Sequence, residues 1–128
     1  MVNTDNRGMK DKNRRLIGWL VSYALDKRGA SFELRAGRHL ISSRDTDSGF
    51  TIVINAPDVS APHLALKASS KHSLTVQDVF SKEGSTLHKE NSKDEIAING
   101  PVQVNHGDWI KIGKNTRFQV CLIDGSSR

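Results

Sequence analysis

From Leu16 to Leu122 the chain never sustains the three-and-four spacing of apolar residues that an amphipathic helix needs. It alternates instead. Ile17, Trp19, Val21 and Tyr23 take every second position, as do Leu64, Leu66 and Ala68, then Leu74 and Val76. The same step of two recurs at Phe32 and Leu34, Ile96 and Ile98, Val102 and Val104, Ile110 and Ile112, and Phe118, Val120 and Leu122. A period of two places side chains on one face of a pleated strand, so each run predicts a half-buried strand. Thr51 to Ile54 is a short continuous apolar run. Turn formers stand between the runs: Lys27-Arg28-Gly29, Asp47-Ser48-Gly49, Ala56-Pro57-Asp58, Asn99-Gly100 and His106-Gly107-Asp108. Short strands at this spacing predict an all-β fold, an antiparallel sandwich or a closed barrel. Asn99-Gly100 reads as a hairpin turn. The stretch from Glu83 to Asp94 reads as one long, mobile surface loop.

At 128 residues and 36% hydrophobic content the chain suits one domain with a real core. We divide it into a flexible basic arm (1–15), a β-sandwich (16–124) and a C-terminal tail (125–128). The net charge is +5, of which the arm supplies +3 through five basic against two acidic residues. The folded body is therefore nearly balanced, which argues against a nucleic-acid-binding surface and leaves the arm a role in solubility or weak attraction to acidic surfaces. Cys121 is the single cysteine. No internal disulfide is possible, and a reducing, cytoplasmic location is expected. No apolar run approaches the roughly 18 to 20 residues of a membrane-spanning helix, so no membrane insertion is expected. Leu16 to Leu25 lacks the small-residue cleavage site of a signal peptide and runs straight into Asp26-Lys27-Arg28-Gly29.

Enzyme signatures are missing. There is no Gly-x-Ser-x-Gly elbow and no Walker loop, and the five histidines show neither HxxH nor HExxH spacing. No metal and no cofactor is expected. Cys121 reads as a structural thiol, and Trp19 and Trp109 as sheet-packing residues, with Trp19 a partner anchor if it faces outward.

Four landmarks in order give the chain a family resemblance. They are Phe32-Glu33-Leu34-Arg35-Ala36-Gly37-Arg38-His39-Leu40-Ile41, the Ser-x-x-His of Ser60 to His63, the segment Asp78-Val79-Phe80-Ser81-Lys82-Glu83-Gly84-Ser85, and the hairpin Val104-Asn105-His106-Gly107-Asp108-Trp109-Ile110-Lys111-Ile112-Gly113. Together they resemble the forkhead-associated (FHA) domain from about Leu16 to Ile123. The resemblance implies an eleven-stranded β-sandwich of the SMAD/FHA-like type that recognises phosphothreonine peptides with loops at one end. Turns needing positive φ are expected at Gly37, Gly84 and Gly107.

Carried onto this chain, the resemblance makes Ser60 a phosphate contact and His63 a brace for its loop, with Gly37 and Gly84 shaping turns. The family's Gly-Arg pair falls on Ser42-Ser43, which puts the candidate arginine one residue late, at Arg44. Ser43, Arg44, Ser60, Lys82 and Glu83 are the phosphopeptide-binding candidates. Hydroxyls and cations suit a ligand with nearly two negative charges. Glu83 replaces the family's asparagine, and a carboxylate there opposes phosphate unless Lys82 offsets it; Lys82 and Glu83 could equally neutralise each other. Three roles follow. The leading one is a phosphothreonine reader in signalling or regulated assembly. The second is a phosphate-independent scaffold or assembly domain with a degenerate site. The third is binding of acidic surfaces or nucleic acid through the arm. The partner and the oligomeric state are left open.

Overall fold

The computed structural model describes residues 13–46 and 50–125. The first twelve residues of the proposed arm, the Asp47-Ser48-Gly49 turn and residues 126–128 of the tail lie outside the described residues. Eleven strands form two layers. They are β1 (Leu16–Ser22), β2 (Ala30–Arg35), β3 (Gly37–Ser42), β4 (Phe50–Val53), β5 (Leu64–Ala68), β6 (Leu74–Asp78), β7 (Ser85–His88), β8 (Glu95–Ala97), β9 (Val102–Val104), β10 (Trp109–Ile112) and β11 (Thr116–Leu122). A six-stranded sheet runs β2-β1-β11-β10-β7-β8, and a five-stranded sheet runs β4-β3-β5-β6-β9. Every pairing is antiparallel except β3 with β4.

The alternation read from the sequence becomes the inner face of each sheet. Leu64, Leu66 and Ala68 are buried while Lys67 between them is exposed. Ile110 and Ile112, Phe118 and Val120 meet them from the opposite sheet. Phe118 packs edge-on against Phe32, with ring centroids 6.0 Å apart. Each such side chain contributes about 1.5 to 3 kcal/mol when fully buried. Gly37, Gly84 and Gly107 all take positive φ, at 126°, 86° and 91°.

Three elements depart from the sequence reading. In β1 the buried residues are Ile17, Gly18, Leu20 and Ser22, while Trp19 and Val21 are half-buried and Tyr23 lies beyond the strand. The pairing with β2 shifts between Leu16 and Gly18, and one extra residue exchanges the two faces of a strand. The predicted loop from Glu83 to Asp94 contains β7, which pairs with β10 and β8. Only Leu87 is apolar there, so the alternation had too few hydrophobic positions to register. Asn99-Gly100 closes no hairpin: it carries the chain from β8 in one sheet to β9 in the other.

Candidate functional site

Four connections meet at one pole of the sandwich. They follow β3, β4, β6 and β10, and hydrogen bonds between them fix their mutual positions. His63 is the centre. Its ring is fully buried, Nδ1 accepts from the Ser60 amide at 2.9 Å, and Nε2–H donates to the Gly84 carbonyl at 2.9 Å. Each nitrogen has one role, so a single neutral tautomer satisfies both loops. The His63 backbone adds bonds to the Ile41 carbonyl and from the Val79 amide. The Gly84 carbonyl also accepts from the Gly113 amide at 3.0 Å.

Asp78, at the end of β6, organises the next segment. Its Oδ1 accepts from the Ser81 amide at 2.8 Å, and its Oδ2 accepts from the hydroxyls of Ser81 and Ser85 at 2.6 and 2.5 Å. Burial pushes this carboxyl up, but the Ser81 and Ser85 donors outweigh it, and the group stays ionised below its ordinary value of 3.8. The Ser81 hydroxyl passes the order on by accepting from the Gly84 amide at 2.9 Å. Asp58 fastens the turn after β10. The Lys114 amide donates to it at 2.7 Å and holds its carboxyl below 3.8, against an opposing push from desolvation, with the Asn115 amide helping at 3.0 Å.

Onto this frame the candidate residues fall unevenly. Ser43, Ser60 and Lys82 are tied together: the Ser43 amide donates to the Ser60 carbonyl at 3.0 Å, and the Lys82 amide to the Ser60 hydroxyl at 2.9 Å. The Ser60–His63 segment contains the cis bond Ala61–Pro62. Arg44 stands at the same pole, exposed, with its amide on the Ser42 hydroxyl at 3.2 Å. Because β3 ends at Ser42, strand alternation does not dictate where Arg44 points. Gly37 does not belong to the site. It opens β3 opposite Ala68, at the far pole, and shapes the β2–β3 turn beside Arg14.

Glu83 does not pair with Lys82, the neighbour that the sequence suggested. Its Oε1 lies 3.9 Å from the Lys114 Nζ, across from the turn after β10, and not against Lys82. Lys114 is thus a site residue that sequence reasoning missed. Only the docking of β10 against β7 brings it there, and no local spacing announces such a contact. Arg44, Lys82 and Lys114 thus stand on the connections of this pole, with Glu83 beside Lys114 and Asp58 and Asp78 committed to the backbone and to serines.

Phe80 is the other surprise. It is fully exposed, and its φ is 60°. A bulky residue in the left-handed region costs on the order of 1 to 2 kcal/mol.

The family model for the FHA domain matches residues 34–113, more than half of the chain. The chain belongs to the FHA domain family. This family is known for phosphopeptide-mediated protein interaction, and its members are interaction modules and not enzymes. The FHA sandwich of this chain is similar to a domain solved in a structural and functional analysis of phosphothreonine-dependent FHA interactions, at 23% identity and a TM-score of 0.64, over 84% of this chain and 97% of that one. It is similar to an FHA domain from Chlamydia trachomatis at 23% identity and a TM-score of 0.66, over 82% and 96%. It also resembles the FHA domain of human APLF in complex with an XRCC1 bisphosphopeptide, at 15% identity and a TM-score of 0.64, over 83% and 99%. No curated protein matches the chain. Among the described residues of this FHA domain, no helix is long and apolar enough to cross a membrane, and no cluster of His, Cys, Asp and Glu is placed to hold a metal ion.

Proposed function

We propose that this FHA domain binds phosphothreonine-bearing segments of partner proteins at the pole built around Ser60. One observation carries the reading. The Ser60 hydroxyl is held in place by accepting the Lys82 amide, and a hydroxyl so held keeps its proton for an incoming acceptor. Arg44, Lys82 and Lys114 supply positive charge around it, and charge-assisted bonds to a phosphate dianion are about twice as strong as neutral ones. Glu83 is tolerable in this reading because Lys114 stands beside it. The APLF relative, seen with a bisphosphopeptide, supports the same use of the fold. Cys121, a free thiol, suits a cytoplasmic setting, which cell fractionation would test.

Heteronuclear NMR titration with a degenerate phosphothreonine peptide library, against its unphosphorylated control, tests the reading. Phosphate-dependent shifts at Ser60, Arg44, Lys82 and Lys114 are expected. Their absence at millimolar peptide, with partner binding that survives phosphatase and Ser60→Ala, would establish the second reading, a phosphate-independent scaffold. The carboxylate at position 83 is what favours that alternative.

A further inference from the structure

Phe80 is fully exposed, against 62% for Tyr23 and 54% for Ile96, the next most exposed large apolar residues among the described residues. Its ring buries nothing within the described fold, and its φ of 60° is one that glycine or asparagine adopts more readily. Loop mobility does not relieve the strain. On one side the Val79 amide is bonded to the His63 carbonyl at 3.0 Å, and on the other the Ser81 amide is bonded to Asp78 at 2.8 Å. A side chain held out by a pinned, strained backbone gains nothing inside the monomer, and such strain gathers at ligand clamps.

Position supplies the rest of the argument. Two peptide units put the Phe80 Cα no more than about 7.6 Å from that of Lys82, whose amide rests on the Ser60 hydroxyl. An extended peptide rises about 3.3 Å per residue. A ligand whose phosphate sits at Ser60 and whose chain runs towards Phe80 reaches it within about four residues of its phosphothreonine. We propose that Phe80 is an aromatic anchor seated against a bulky apolar side chain of the phosphothreonine-bearing partner, so that this loop selects which phosphothreonines are bound. The inference rests on the phosphothreonine reading above. Arg44, Lys82 and Lys114 take the phosphate in it, and Phe80 takes the flank. Buried aromatic anchors of this kind carry most of the binding energy in many interfaces.

The test is fluorescence anisotropy with phosphothreonine peptides on an alanine background. A single leucine is moved through the four positions on either side, and each peptide has an unphosphorylated twin. Wild type is expected to favour one leucine position by about tenfold over the all-alanine phosphopeptide. Phe80→Ala and Phe80→Gly are expected to keep wild-type affinity for the all-alanine phosphopeptide and to lose the leucine preference. Phe80→Gly should also unfold in urea at or above the wild-type midpoint, because glycine accepts this φ without strain. A leucine preference that survives in both variants, or that wild type never shows, overturns the anchor and leaves phosphothreonine binding standing. If wild type does not distinguish phosphorylated peptides from their twins, the anchor and the phosphothreonine reading fall together.

Discussion

His63 joins two loops of the proposed binding pole through its two ring nitrogens, with no solvent to replace either bond. His63→Ala orphans the Ser60 amide and the Gly84 carbonyl, and should cost about 2 to 4 kcal/mol in urea denaturation. The carboxylates beside it set an acid limit. Asp58 and Asp78 have folded-state pKa values below their ordinary value of 3.8, so the unfolded chain binds protons first on acidification. Their contribution is complete at neutral pH and is lost as pH falls from about 5 through the depressed values. Urea midpoints followed from pH 7 to pH 3 should decline, and Asp78→Asn should flatten that decline. At the proposed ligand surface, Lys114→Ala leaves Glu83 uncountered and should weaken phosphopeptide binding several-fold in a titration at low salt, roughly 1 kcal/mol. Glu83→Gln in the same chain should recover the loss. Ser60 and His63 were legible because a short motif carries them. Lys114 was not, since its role exists only once β10 lies against β7.

Strands were legible wherever two or more apolar residues alternated, and illegible where polar residues filled the inner face. In β7 Ser85 is buried because its hydroxyl bonds Asp78, a polar solution to burial that no hydrophobic pattern reveals. In the turn before β10, Asp108 is likewise buried and satisfied, accepting from the Asn105 and Glu90 amides and from Lys89. In β1 the strand was legible and its buried face was not. Its alternation is real, but the bulge at Leu16/Gly18 reverses it. Gly18 is what permits the close approach, because a Cβ there would stand 2.1 Å from the Cys121 carbonyl oxygen. Gly18→Ala forces β1 and β11 apart and should cost about 1 to 3 kcal/mol, read as a lowered urea midpoint.

The two sheets make the FHA fold inseparable from both chain ends. β1 and β11 pair in the interior of the six-stranded sheet, with Gly18 opposite Leu122. The family match at 34–113 omits both, together with most of β2. A chain trimmed to those residues should therefore show no cooperative transition by circular dichroism, since half the larger sheet and Phe118, Val120, Leu20 and Ile17 are gone. The loops proposed to bind phosphothreonine sit at one pole, where His63 holds Gly84. At the other, His72 bonds Arg15 and the Ile123 carbonyl, so entry and exit strands are clasped together. A polypeptide entering at Leu16 and leaving at Leu122 does both at nearly one point. A host protein spliced around this domain would hold it by a single hinge, with the proposed binding pole facing away from the graft and free to sweep the space in front of it.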